Sequence, residues 1–160
     1  MSITSIDHHV SLRHEERDAL GTGLQSVLID LTDLSLAGKQ LHWNVVGPGF
    51  RALHLQLDEL VESTRTLTDQ VAERARALGW APDGRTASVA AGSSLPPLPD
   101  GELPANHVIQ LVTALLVQAG STSRRAAEHA GEYDPVTQDL LNEVIRTLEH
   151  HAWMFSAQGR

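Results

Sequence analysis

His54 and Asp58 stand four residues apart in one apolar-periodic stretch, and Asp69 and Glu73 repeat that spacing further along it. Each pair therefore shares a helix face and can converge on one point. Imidazole nitrogen with carboxylate oxygen is a donor set suited to iron, manganese or zinc. Asp58 and Asp69 are eleven residues apart, which returns to nearly the same face, about 20° off, but roughly 16 Å along the axis. One ion cannot be held by both pairs of a single helix. If both serve one site, the second pair comes from another copy of the chain across a two-fold axis. His42 lies five residues before Gly47, and His54 five after Gly49. A tight hairpin at Gly47-Pro48-Gly49 brings the two imidazoles to a similar level on neighbouring helices. The grouping is then His42, His54 and Asp58 from one subunit, facing Asp69 and Glu73 from its mate. Spacing alone suits a second picture equally well: His54 and Asp58 on a solvated face, Asp69 and Glu73 as surface carboxylates near Arg74 and Arg76, and Trp43 as plain core.

The elements that must position these residues are helical. Leu20, Leu24, Val27, Leu28, Leu31, Leu34 and Leu41 recur at three-and-four spacing from about residue 14 to Val45. A second such run extends from Phe50 through Leu53, Leu57, Leu60, Thr64, Leu67 and Val71 to Leu78, with Gly79 as its C-cap. The short link between them makes the two helices antiparallel. Residues 80–103 are rich in Pro and Gly and read as a long crossover carrying a short helix around Thr86 to Ala91. A third long helix starts near Pro104 and ends by Gly131. A fourth opens with Asp134 as N-cap and Pro135 at the first helical position, and runs to Phe155. Two helical hairpins joined by a long crossover make an all-α, ferritin-like four-helix bundle. The domain reading is a flexible N-terminal segment over 1–13 and one bundle domain over 14–158.

Composition narrows the classes. One domain is the natural expectation for 160 residues, and aromatics at 4% favour helices over sheet. The absence of cysteine excludes disulfides, thiolate metal sites and cysteine catalysis. No signal peptide or membrane-length apolar run is visible, so a cytoplasmic protein with no membrane partner is expected. The net charge of −8 and the single lysine, Lys39, argue against direct nucleic-acid binding and suit a protein that attracts cations. No Glu-x-x-His motif occurs, which disfavours a di-iron centre inside one bundle.

The stretch KQLHWNVVGPGFRALHLQLDELVESTRTLTDQVAERARALG closely resembles the signature region of the Dps family, mini-ferritins named for DNA binding in starved cells. A looser likeness extends along the chain, including EHHAWMFSA. The family's ligand positions fall on His42, His54 and Asp58, with Asp69 and Glu73 from the two-fold mate. The resemblance implies a hollow homo-dodecamer in which Fe(II) is oxidised at the two-fold interfaces, preferentially by hydrogen peroxide, and Fe(III) is stored as mineral. It also implies protection against oxidative stress, and it places Trp43 close to the iron as a candidate oxidisable guard in the catalytic set.

The chain departs from the family where a lysine-rich tail would bind DNA: the N-terminal segment holds no lysine, so tail-mediated DNA binding is not expected. Glu128, Glu132, Asp134 and Asp139 lie in the neighbourhood of the family's acidic entry pore, without a position-by-position match. Asp7, His8, His9 and His14 form a cluster that reads as a mobile segment, with a second metal as the alternative. His129, His150 and His151 read as helix-surface residues, and Lys39 and Arg65 as candidates for pairing near the interface. The rival to the ferroxidase reading is a structural or nucleoid-associated shell whose metal site does not turn over.

Overall fold

The computed structural model of the chain describes residues 12–159, so most of the segment assigned to 1–13 lies outside the described residues. The first long helix, α1, spans His14–Asn44, and α2 spans Phe50–Ala77. Between them Val45–Val46 forms a two-residue strand, β1. The short α3 spans Thr86–Gly92, β2 is Leu103–Pro104, α4 is Ala105–Ala130 and α5 is Pro135–Ser156, followed by a 3₁₀ turn over Ala157–Gly159.

Both ends of α2 are set by glycine. Gly47 and Gly49 adopt φ of 98° and 80°, where a Cβ is strained. From there Gly47 C=O accepts the Phe50 N–H at 3.1 Å and Gly49 C=O that of Leu53 at 3.1 Å. The chain thus reverses within a few residues. At the other end Gly79 takes φ of 86°. Trp80 N–H then reaches Ala75 C=O at 2.9 Å and Gly79 N–H reaches Arg76 C=O at 3.0 Å, which is the Schellman arrangement.

The hairpins α1–α2 and α4–α5 pack through α1 against α4, around Leu24, Leu31, Leu57, Leu60, Val112, Leu115, Val144 and Phe155, all buried. The fold is therefore the all-α bundle expected, with the crossover and its short helix in place. The small parallel bridge was not foreseen: Val45 pairs with Leu103 and Val46 with Pro104. Two residues carry no period for a sequence to display.

Polar side chains of α1 tie the crossover down. Gln25 donates to Asp83 C=O at 2.8 Å and accepts from its N–H at 2.9 Å. Buried Asp30 accepts the N–H of Ser94 at 2.9 Å and its hydroxyl at 2.7 Å. Trp80 lies directly on the backbone of Gly21, where an added Cβ would overlap the indole. Gly21→Ala is therefore expected to destabilise the fold by about 1–3 kcal/mol in denaturant titration, despite alanine's better helix propensity. Gly23→Ala is the control, because its Cβ meets Ala126 only at 3.5 Å. It should be neutral or slightly stabilising. Equal effects at the two positions would remove the steric explanation.

Candidate metal centre

His42 sits in the last turn of α1 and His54 in the second turn of α2, on either side of the glycine-bounded link. The two rings stack, with centroids 3.6 Å apart and planes at 23°. Their fixation is reciprocal: His42 Nδ1 donates to the His54 carbonyl at 2.9 Å, and His54 Nδ1 donates to the His42 carbonyl at 3.0 Å. A carbonyl partner assigns the proton to Nδ1. That leaves Nε2 of each ring as the atom able to bind a cation. Phe50 lies beside His54, with ring centroids 5.0 Å apart and planes at 36°.

Asp58 completes the group. Ligand atoms of His42, His54 and Asp58 all lie within 4.8 Å of one another. His42 is 7% exposed, whereas His54 is half-buried and the Asp58 side chain is 44% exposed, so the centre runs from a buried imidazole outward to a carboxylate open to solvent. Asp58 Oδ1 lies 2.5 Å from Lys39 Nζ and 3.4 Å from His42 Nδ1. The hydrogen bond from Lys39 first, helped by its charge, holds the carboxyl below the usual carboxylate range against the opposing effect of burial.

The chain does not bring Asp69 and Glu73 to this group. Both are exposed on α2, beyond the reach of the three residues above. Asp69 instead lines a cleft of about 370 Å³ between α1 and α2, with Arg65 and Thr68. Trp43 is 69% exposed, which removes the plain-core alternative for it. Trp43, Lys39 and Arg65 line a second cavity, of about 690 Å³, bounded by Leu95, Pro96 and Leu98 of the crossover. Lys39 and Arg65 thus share one wall, but the ion pair Lys39 makes is with Asp58 of its own chain.

Other residues singled out in the sequence fall elsewhere. Asp7, His8 and His9 lie outside the described residues, and His14 Nε2 stands 3.4 Å from Asp18. Asp134 is buried in bonds to Arg74 and Thr137, so it has no carboxylate to offer a pore. Glu128, Glu132 and Asp139 are exposed. His129 and His150 are exposed too. His151 is half-buried 3.3 Å from Ser63 Oγ, and burial, with His150 nearby and Glu59 opposing, holds its pKa below the ordinary value. Sequence reading missed the reciprocal backbone bonds and the Lys39–Asp58 pair. Its available signal was the arrangement about the hairpin: a lysine one turn before His42, and an aspartate one turn after His54.

This fold and half-centre define a ferritin-like protein, and a family description of the ferritin-like domain matches residues 22–160. A pilus protein of Haemophilus ducreyi, the fine tangled pili major subunit, is 36% identical over 138 residues, covering 86% of this chain and 73% of that protein. The DNA protection during starvation protein of Mycolicibacterium smegmatis is 35% identical over 137 residues, covering 84% of this chain and 73% of that one. Among solved structures, DpsA14 from Streptomyces coelicolor superposes with a TM-score of 0.90 at 33% identity, over 94% of this chain and 90% of that one. The chain belongs to the Dps family of ferritin-like proteins. Among its described residues no helix is long and apolar enough to cross a membrane.

Proposed function

We propose that the chain is the subunit of an iron-oxidising and iron-storing shell. Fe(II) is its substrate, bound by His42, His54 and Asp58 of one protomer together with Asp69 and Glu73 of the two-fold mate. The observation that carries the reading is the pair of imidazoles whose Nδ1 atoms are each locked to the other's backbone carbonyl, grouped with the Asp58 carboxylate within ligand distance of one another. Imidazole and carboxylate hold Fe(II) without reducing its product, and the hard carboxylate oxygens favour the Fe(III) that forms. Two ferrous ions each give one electron to one hydrogen peroxide. Its O–O bond breaks, and two protons are taken up to leave two waters, so no hydroxyl radical is released. In this reading Trp43, next to His42 in sequence and exposed, serves as an oxidisable guard against stray oxidant. Asp69 and Glu73 stand exposed on α2, as groups that meet a second copy must.

A closed homo-dodecamer, a cytoplasmic setting and protection against oxidative stress belong to the same reading. So do the domain limits, with the bundle over 14–158. DNA is not a partner in it. The net charge is −8 and the one lysine is already paired with Asp58, whereas phosphate binding needs clustered, unpaired cations.

The test is anaerobic loading with Fe(II), then hydrogen peroxide, with absorbance and peroxide consumption recorded. Turnover well beyond the capacity of the sites is expected in the parent, and its loss in the His54→Ala/Asp58→Ala variant. Consumption that stops when the sites are full, in a shell that stays assembled, would make this a structural metal protein.

A further inference from the structure

We propose that Lys39 is the resident counter-cation of the metal centre: its ammonium occupies Asp58 until a divalent cation displaces it, so metal binding here is an exchange of cations. This rests on the reading of His42, His54 and Asp58 as ligands.

Lys39 is the only lysine among 160 residues, the other eleven of the 12 basic side chains being arginine. Its Nζ stands 2.5 Å from Asp58 Oδ1, the carboxylate oxygen that also lies 3.4 Å from His42. The lysine side chain is 28% exposed, so this pair is screened less than a free surface pair. Of the three carboxylates in the proposed centre, Asp58 is the one this protomer supplies, and Lys39 already neutralises it. A divalent ion arriving at that oxygen meets an ammonium within a few ångströms, and two cations at such a distance repel strongly at a partly buried site. The ammonium has to leave.

The cavity of about 690 Å³ gives it somewhere to go, because Lys39 lines that cavity together with Asp33, whose Oδ2 accepts the Ser93 hydroxyl. Lysine suits the task better than arginine. Its compact charge sits on a flexible four-carbon stem, whereas a guanidinium fork would grip both carboxylate oxygens. Only electrostatic contacts change in the exchange: Asp58 trades the ammonium for the metal, and no proton need move.

Anaerobic titration with Co(II), followed by its visible absorption, tests this without iron turnover. Lys39→Met should bind about tenfold more tightly than the parent, the size expected for removing one like charge at this distance. Lys39→Gln is the second variant should the first fold poorly. Lys39→Arg, which keeps the charge, should bind no more tightly than the parent. His54→Ala in each background must abolish the signal, showing that it reports this centre. In crystals of the Co(II)-loaded parent, Lys39 Nζ should stand more than about 4 Å from Asp58, outside ion-pair range. An intact, His54-dependent signal with unchanged or weaker affinity in Lys39→Met and Lys39→Gln overturns the exchange alone. A parent without any His54-dependent signal overturns the metal reading and the exchange together.

Discussion

Mixing two inactive variants is expected to restore about a quarter of the parental iron oxidation. One variant is His54→Ala, which loses an imidazole; the other is Asp69→Asn/Glu73→Gln, which loses the carboxylate pair. Each alone should oxidise iron at least a hundredfold more slowly, because loss of a ligand or of two charges leaves too few donors for the ion. In a two-fold pair made of one subunit of each kind, the two centres differ. One joins the missing imidazole to the missing carboxylates. The other joins intact imidazoles from the second variant to intact carboxylates from the first. Random pairing makes half the dimers mixed, and each mixed dimer holds one good centre of two, hence about a quarter. The arithmetic depends on donors from both chains. Co-expressed subunits carrying different tags, purified through both and assayed with Fe(II) and hydrogen peroxide, provide the measurement. A co-purified shell with no restored activity would mean that the two residue sets do not form one centre.

The half-centre and its distant partner pair differ in how plainly the sequence shows them. His42, His54 and Asp58 straddle a hairpin whose Gly-Pro-Gly link is a local signal, so the juxtaposition follows from counting residues out from the turn. The same local logic placed the helices: Asp134-Pro135 opens α5 as expected, and Gly79 caps α2. What stayed hidden depends on residues far apart in sequence. Asp30 and Ser94 are 64 positions apart, and Arg74 and Asp134 are 60. Their pairing is decided by how the hairpins dock, which no period records. Lys39 belongs to both groups. Its placement one turn before His42 was visible, but the residue it meets across the hairpin was not. Trp43 shows the opposite limit, since periodicity cannot distinguish an aromatic on the core face from one left bare at 69% exposure. Aspartate at position 134 read as a helix cap and also lay in the neighbourhood of the pore acids, and its burial leaves only the cap.

That burial makes Asp134→Ala the substitution with the largest expected effect on stability, about 3–4 kcal/mol. The carboxylate caps α5 through the Val136 N–H at 3.3 Å, and its other oxygen receives Arg74 Nη2 and the Thr137 hydroxyl. Arg74 Nε in turn donates to Thr137 Oγ1 at 2.9 Å, so the last turns of α2 and the first of α5 are joined through one carboxylate. Loss of the cap costs about 0.5–2 kcal/mol. Leaving the Arg74 and Thr137 donors unpaired in a mostly buried position adds about 1–3 kcal/mol. For a chain of this size the sum corresponds to a fall of roughly 10 °C in Tm. Asp134→Asn preserves the cap and gives up the charge, and about half the loss is expected. Acid should act through the same group. Burial alone would raise the Asp134 pKa, but the bonds from Thr137, Arg74 and Val136 together outweigh it and hold the carboxyl below its ordinary value. The unfolded chain therefore takes up this proton at a higher pH than the folded one. Its contribution is fully present above the unfolded value of about 3.9 and is lost as pH falls through the lower folded value. Denaturant titrations at a series of pH values should show the parent losing stability more steeply than Asp134→Asn below about pH 4. Parallel acid limbs, or a loss under about 1 kcal/mol in Asp134→Ala, would show that the two hairpins are held together without this carboxylate.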